Sequence, residues 1–364
     1  MITDLAEAVL NLGISIQQIA APTFGEAPRA RFVYDQFRGE GLSQISIDSP
    51  GNVVACLPGR GRARPVVVSA HLDTVFPEGT DLTIRRTAER ISGPGIGDNA
   101  IGVAGLFGLI WSLRSRKAAL PGDVWLVANM GEEGLGDLRG MQVVVDRFGS
   151  RPRAYIVLEG MSLGQVYNRG LGVRRYRITV ETAGGHSWVD YGCPSAVHEL
   201  AHIASQITRL SLPDRPRTTL NVGTISGGTS VNTIASEAHF ELDLRSEDPH
   251  ALEQLVRQVE ELVAGAVRSG VRVGARLIGS RPAGEISSQD RLVRLACACL
   301  EGVGIQPHLN TGSTDANIPL SRGLSAVCIG LTTGSGAHTQ HEYIHTAPLT
   351  QGMAQLTALV EGLF

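Results

Sequence analysis

Four stretches of this 364-residue sequence end an apolar run on side chains that bind metals or move protons. Val66 to Ala70 runs into His71-Leu72-Asp73, Val124 to Asn129 into Met130-Gly131-Glu132-Glu133-Gly134, and Ala154 to Leu158 into Glu159. Ser325 to Gly330 leads through the glycine-rich Thr333-Gly334-Ser335-Gly336-Ala337 to His338. One carboxylate after a strand is usually a helix cap or a solvated turn residue. Four deliveries to one sheet edge ask for more, because ligands of open α/β sheets gather beyond the carboxyl ends of the strands. Carboxylates stacked there repel one another unless positive charge lies between them, and a divalent cation supplies it. Histidine with carboxylate suits zinc, cobalt or manganese better than calcium or an iron–sulfur centre. Asp98, in Ser92-Gly93-Pro94-Gly95-Ile96-Gly97-Asp98-Asn99, has two readings. It is either a further ligand, on a loop whose glycines let backbone pass close to a bound group, or the cap of a helix starting near Ala100.

The elements that position these residues follow from the apolar pattern. Residues 1 to about 170 alternate helical patterns with short continuous apolar runs, the signature of an α/β domain with a mostly parallel sheet covered on both faces. After Arg174 the pattern becomes strict alternation, with Tyr176, Ile178 and Val180 on one side and Arg175, Arg177 and Thr179 on the other. That is a strand with one wet face. The segment then reads strand (173–182), helix (195–210), strand (217–226), strand (237–246), helix (249–268) and strand (271–278), the βαββαβ order of a small α+β domain. Leu252, Leu255, Val256, Val259, Leu262 and Val263 recur at helical spacing and make one buried face. From 283 the α/β style resumes with a helix (290–301), a strand (324–330) and a terminal helix (348–363). One α/β domain interrupted by an inserted α+β domain accounts for the whole order.

Bulk properties exclude several partners. With 43% hydrophobic and 18% charged residues the chain can bury a full core and supports two domains. A formal charge of -3 gives no electrostatic support to nucleic acid or an anionic membrane. The longest apolar stretch, Ile101 to Leu113, is broken by glycine and shorter than the about 20 residues a bilayer demands. No basic stretch followed by an apolar core marks the N-terminus, so a cytoplasmic location is the default expectation. The scattered Cys56, Cys193, Cys297, Cys299 and Cys328 read as buried thiols rather than a disulfide frame.

Six ordered motifs resemble the M20 metallopeptidases, which include peptidase T, glutamate carboxypeptidase, succinyl-diaminopimelate desuccinylase and aminoacylases. They are His71-Leu72-Asp73-Thr74-Val75, Gly97-Asp98-Asn99, Gly131-Glu132-Glu133-Gly134, Leu158-Glu159-Gly160, Gly184-Gly185-His186-Ser187 and His338-Thr339-Gln340-His341-Glu342, and they span almost the whole chain. The resemblance implies a zinc-exopeptidase-like catalytic domain over 1–172 and 283–364, and a ferredoxin-like lid and dimerisation domain over 173–282. It implies two divalent metal ions, zinc first, with cobalt or manganese as alternatives. Asp98 would bridge them, His71 and Glu159 would complete one site, and Glu133 and His338 the other. It further implies Asp73 as the orienter of His71, Glu132 as general base, a cis peptide after Asp98, and His186 as an oxyanion donor reaching a partner subunit's site within a homodimer. His341 and His345 compete with His338, which is preferred because its spacing to Glu342 fits the family pattern and it follows the glycine loop directly. Many relatives carry Asp-Lys or Asp-Met-Lys where Asn99-Ala100 stands here, a departure that touches substrate contacts rather than ligands.

Segments around Asn232, Arg245 and Arg281 are similar to family segments that contact substrate. Both arginines could grip a carboxylate bidentately, or each could serve a surface ion pair. The expected activity is hydrolysis of amide bonds, foremost as an exopeptidase on short peptides. Carboxypeptidase action and N-acyl-amino-acid deacylation stand as alternatives, and a non-catalytic metal- or peptide-binding homologue as another class. A mere binder has no use for Glu132, and a serine hydrolase lacks its Gly-x-Ser-x-Gly elbow.

Overall fold

The central strands carry β-branched and small apolar residues, and both of their faces are covered. In the computed structural model, which describes residues 2–364, Val66–His71 and Ala326–Gly330 are buried at every position and Tyr155–Glu159 at all but its last. Alternate side chains feed two cores. Val66, Val68 and Ala70 join Ile101, Leu106 and Leu109 of helix Ile101–Ser115 on one face. Val67, Val127, Val157 and Cys328 join Val144, Val145 and Phe148 of helix Arg139–Phe148 on the other.

Helix Ile101–Ser115 is apolar on all sides because it is a core helix. A Cβ on its Gly105 would collide with Leu331, and one on its Gly108 with Val9 and Met353, so glycine at both positions admits the neighbouring segments. The segment containing it, Ile96–Ser115, is the one helical stretch among the described residues long and apolar enough to cross a membrane, and it is almost wholly buried inside the protein.

Among the described residues the main sheet runs Ser43–Ile47, Val53–Leu57, Val124–Asn129, Val66–His71, Tyr155–Glu159, Ala326–Gly330, Gln165–Gly170 and Gly284–Glu285, with His308–Gly312 paired to Gln165–Gly170. Its four middle strands, from Val124–Asn129 to Ala326–Gly330, are parallel. The flanking strands, which pair antiparallel except for His308–Gly312, were not among those expected from sequence. Gln165–Gly170 and His308–Gly312 are short and largely polar, so they lack the apolar run by which a buried strand is recognised.

The chain divides into two compact units, one comprising residues up to Gly170 together with Gly284–Phe364, the other Leu171–Ala283. In the second, the strands lie in the order Thr218–Gly227, Glu237–Ser246, Gly172–Thr182 and Val271–Arg281, all antiparallel. Helices Ala196–Ile207 and Pro249–Gly265 cover one face, where Tyr176, Ile178, Val180, Phe240 and Leu242 meet Leu200, Ile203, Leu255 and Val259. The opposite face carries ion pairs such as Arg175–Asp243 at 2.9 Å. All five cysteines are free, and Cys193 is exposed rather than buried.

Candidate active site

Parallel pairing brings the strand ends level. His71 stands opposite Asn129 and Glu159 opposite Gly330, so the segments that follow these strands leave from one edge. Asp98 enters from a separate loop. It forms no cap to the helix that follows; its carboxylate turns toward two imidazoles instead. The Asp98–Asn99 peptide is cis, as the resemblance implied.

Asp98 divides its two oxygens. Oδ1 lies 3.1 Å from His71 Nε2, and Oδ2 lies 3.1 Å from His338 Nε2. Glu159 Oε2 is 3.7 Å from the same His71 nitrogen, and Glu133 Oε1 is 3.4 Å from the same His338 nitrogen. Ligand atoms of His71, Asp98 and Glu133 all fall within 4.8 Å of one another. The result is two nitrogen–oxygen groups that share Asp98, and nitrogen with carboxylate oxygen is a donor mix that suits a borderline divalent cation. His341 is exposed, and His345 Nδ1 is 3.0 Å from Thr333 Oγ1, so of the three candidate histidines His338 is the one that joins this cluster. His338 holds φ at 64°, an uncommon backbone that aims its ring at Asp98 and Glu133.

Buried polar groups fix these ligands. Asp73 is wholly buried, and its carboxylate accepts the backbone N–H of Glu132 (3.0 Å), the backbone N–H of Glu133 (2.9 Å) and the Thr23 hydroxyl (3.0 Å). His71 Nδ1 lies closer to the Asp73 carbonyl oxygen (3.0 Å) than to its carboxylate (3.5 Å). The carboxylate of Asp73 therefore acts on the turn that carries Glu132 and Glu133 as well as on His71. Glu342 accepts from the N–H groups of Gly95, Gly97 and Asp98. Asn99 is buried, donates to the Leu158 carbonyl (2.7 Å) and accepts from Gly160 N–H (3.1 Å), so it bolts the Asp98 loop to the Glu159 strand. Asp315 accepts from Asn129 Nδ2 at 2.6 Å. Asp73 and Asn99 stand inside the quoted motifs and Asp315 outside them, and their hydrogen bonds cross between distant segments that leave no local signal.

Electrostatics are polarised as a cation site requires. Burial alone would lower the His71 pKa, and hydrogen bonds to Asp73, Asp98 and Glu159 overturn that and hold it well above the ordinary range. Asp98 is held far below the usual carboxylate range: burial opposes this, but bonds from His338 and His71 prevail. The bonds to Asp98 and Glu133 push His338 up to about 10. Burial raises Glu159 and pushes Asp315 up to about 7.

Residues 171–270 match the peptidase dimerisation domain of the M20 peptidases, and residues 52–166 match peptidase family M28. The uncharacterised protein YqjE of Bacillus subtilis is 22% identical over 362 residues, covering 96% of each chain. Succinyl-diaminopimelate desuccinylase of Corynebacterium glutamicum is 23% identical over 361 residues, covering 97% of this chain and 96% of its own. The crystal structure of aminopeptidase PepT from Bacillus cereus superimposes with a TM-score of 0.80 at 21% identity, covering 98% of both chains. These matches support an M20 family metallopeptidase. The same matches support an enzyme that hydrolyses amide bonds.

The remaining residues singled out in this M20 chain lie in the unit Leu171–Ala283. His186 is exposed; its backbone N–H donates to Asp190 Oδ2 (2.7 Å), and its Nδ1 accepts from Trp188 N–H (3.2 Å). An accepting Nδ1 makes Nε2 the protonated nitrogen. Asn232 lies beside it, with its carbonyl accepting Ser187 N–H at 3.0 Å. Arg245 Nε is bound to Asp243 Oδ2 at 2.6 Å, which is the surface ion pair weighed above. Arg281 is buried at the end of strand Val271–Arg281.

Proposed function

We propose that this M20 enzyme is a dinuclear exopeptidase on short peptides. The observation that carries the reading is Asp98, which offers one oxygen toward each of two histidines while Glu159 and Glu133 sit on opposite sides of that division. His71, Asp98 and Glu159 would hold one divalent ion and His338, Asp98 and Glu133 the other, zinc fitting the mixed nitrogen–oxygen donors, with cobalt or manganese as substitutes. Bound there, such a pair lowers the pKa of water and stabilises developing negative charge.

The chain's own groups do the rest. Glu132, buried and held at its backbone by Asp73, takes the proton of the attacking water and passes it to the leaving nitrogen. His186, with its proton on Nε2, serves as donor to the oxyanion in the site of a partner subunit. Asn232, Arg245 and Arg281 contact the substrate, an assignment supported by the family resemblance, with Arg245 also occupied by Asp243. The match to a dimerisation domain supports a homodimer assembled through the inserted unit.

A second reading, release of an amino acid from an N-acyl conjugate, is favoured by the full-length similarity to a desuccinylase. Both are tested by one panel of dipeptides, tripeptides and N-acyl amino acids on zinc-reconstituted protein, with and without a chelator. Chelator-sensitive turnover is the expected result, and the preferred member decides between the two readings. Turnover that survives complete metal removal would refute both.

A further inference from the structure

Five large apolar residues of the catalytic unit are exposed among the described residues: Phe24, Ile47, Val75, Leu135 and Leu309. Three of them ride on loops already identified with the chemistry. Phe24 (61% exposed) follows Thr23, Val75 (40%) lies two residues after Asp73, and Leu135 (51%) two residues after Glu133. Scattered exposed apolar residues need no explanation, but three at one sheet edge do.

Phe24 is the most constrained of the three. It holds φ at 76°, left-handed backbone that suits glycine and is strained for a bulky side chain. Both flanks of the strained residue are pinned. Thr23 binds Asp73, Thr74 N–H donates to the Ala21 carbonyl (2.9 Å), and Glu26 accepts Gly131 N–H (3.1 Å). The Arg139 guanidinium stacks on the ring at 4.3 Å from its centroid, and a Cβ on Gly131 would meet Arg139 Nε at 2.8 Å. Gly131 immediately precedes Glu132. The ring, Arg139 and the turn of the proton carrier are thus in succession, and the fold keeps an exposed aromatic one arginine side chain away from the turn that leads into Glu132, at a conformational cost.

We propose that Phe24, with Val75 and Leu135, is an apolar wall for the substrate residue that supplies the leaving nitrogen, so the enzyme selects a large apolar or aromatic side chain there. The inference rests on the hydrolase reading above: Glu132 serves the leaving nitrogen, and a wall near the turn that leads into Glu132 faces the residue that bears it.

The test uses zinc-loaded enzyme and two matched series, glycyl-X and N-acetyl-X, with X as Gly, Ala, Leu or Phe. The quantity read is the ratio of kcat/KM for X = Leu or Phe to that for X = Gly. Wild type should prefer the large residues, and Phe24→Gly should lower the ratio by about ten-fold or more, the discrimination a hydrophobic contact supplies. Glycine accepts the left-handed backbone, so the variant should melt no lower than wild type, which separates loss of the wall from loss of fold. Phe24→Leu should restore part of the preference, and Ile47→Ala should leave it intact. If wild type hydrolyses the series but shows no such preference, or Phe24→Gly keeps it within about two-fold, the wall is overturned while the hydrolase reading stands. If wild type hydrolyses no member of either series, the wall is overturned, and the hydrolase reading falls with it when the tripeptides of the panel above are inert as well.

Discussion

The Glu342 carboxylate grips the backbone of Asp98: Oε1 accepts Asp98 N–H at 2.8 Å and Gly97 N–H at 2.6 Å, while Oε2 accepts Gly95 N–H at 3.0 Å. Glu342 lies four residues beyond His338, so one buried carboxylate ties together the loops that carry Asp98 and His338, the two proposed ligands. In Glu342→Gln an amide NH₂ must face at least one of these N–H donors. Zinc affinity, measured by competition with a chromophoric chelator, should fall about 10- to 100-fold, the usual effect of losing a group that orients ligands. Unchanged affinity in a folded variant would show that the Asp98 loop holds its place without Glu342.

Asp73 supports the neighbouring turn in the same manner, with three hydrogen bonds into a fully buried carboxylate. Asp73→Ala strands the Glu132 and Glu133 N–H groups and the Thr23 hydroxyl, each at about 1–3 kcal/mol when left buried without a partner. Denaturant unfolding of the apoprotein should therefore show a loss of several kcal/mol by that accounting, larger than for a typical surface substitution. A loss below about 1 kcal/mol would mean that water replaces the carboxylate and that the turn is not held by it.

Glu132 is assigned a proton and no metal. Glu132→Gln keeps nearly the same shape, so zinc content by elemental analysis should stay at the wild-type value. Turnover should fall about 10²- to 10⁴-fold, the range for removing a positioned general base. Near-normal turnover, or loss of zinc, would move Glu132 out of that role.

The strands that deliver ligands were legible because burial on both faces demands unbroken apolar sequence, and Val66–His71, Val124–Asn129 and Tyr155–Glu159 have it. The inserted unit was legible for the opposite reason, since the alternation of Tyr176, Ile178 and Val180 marks a strand with one wet face. Edge strands such as Ser43–Ile47 carry neither pattern. In the site, residue types and order pointed to His71, Glu133, Glu159 and His338, whereas spacing left Asp98 open between cap and ligand, and only the family resemblance implied the ligand. Asp73 stays beside His71 and also holds the Glu132 turn, a second role that was not legible because backbone N–H donors 59 and 60 residues away are invisible in a linear motif. Phe24 was missed altogether: nothing in its type announces a left-handed backbone.

Protons and metal compete for the two histidines, and this gives a pH dependence with a definite sign. His338 has an ordinary pKa of 6.5 and one near 10 beside Asp98 and Glu133. In protein stripped of metal, the stability that this pairing contributes is complete below the unfolded-state pKa and is lost as pH rises through about 10. The melting temperature of chelator-treated protein should accordingly decline across that window, and His338→Gln should flatten this part of the decline. Zinc shows the converse. His71 is also held protonated above its ordinary range, so zinc must displace protons from both rings, and its affinity should rise with pH toward the same limit. Calorimetric titration at about pH 8, in two buffers of different ionisation enthalpy, should report proton release on zinc binding. A binding enthalpy independent of the buffer would show that the imidazoles are already neutral, and that Asp98, Glu133 and Glu159 do not hold their protons in place.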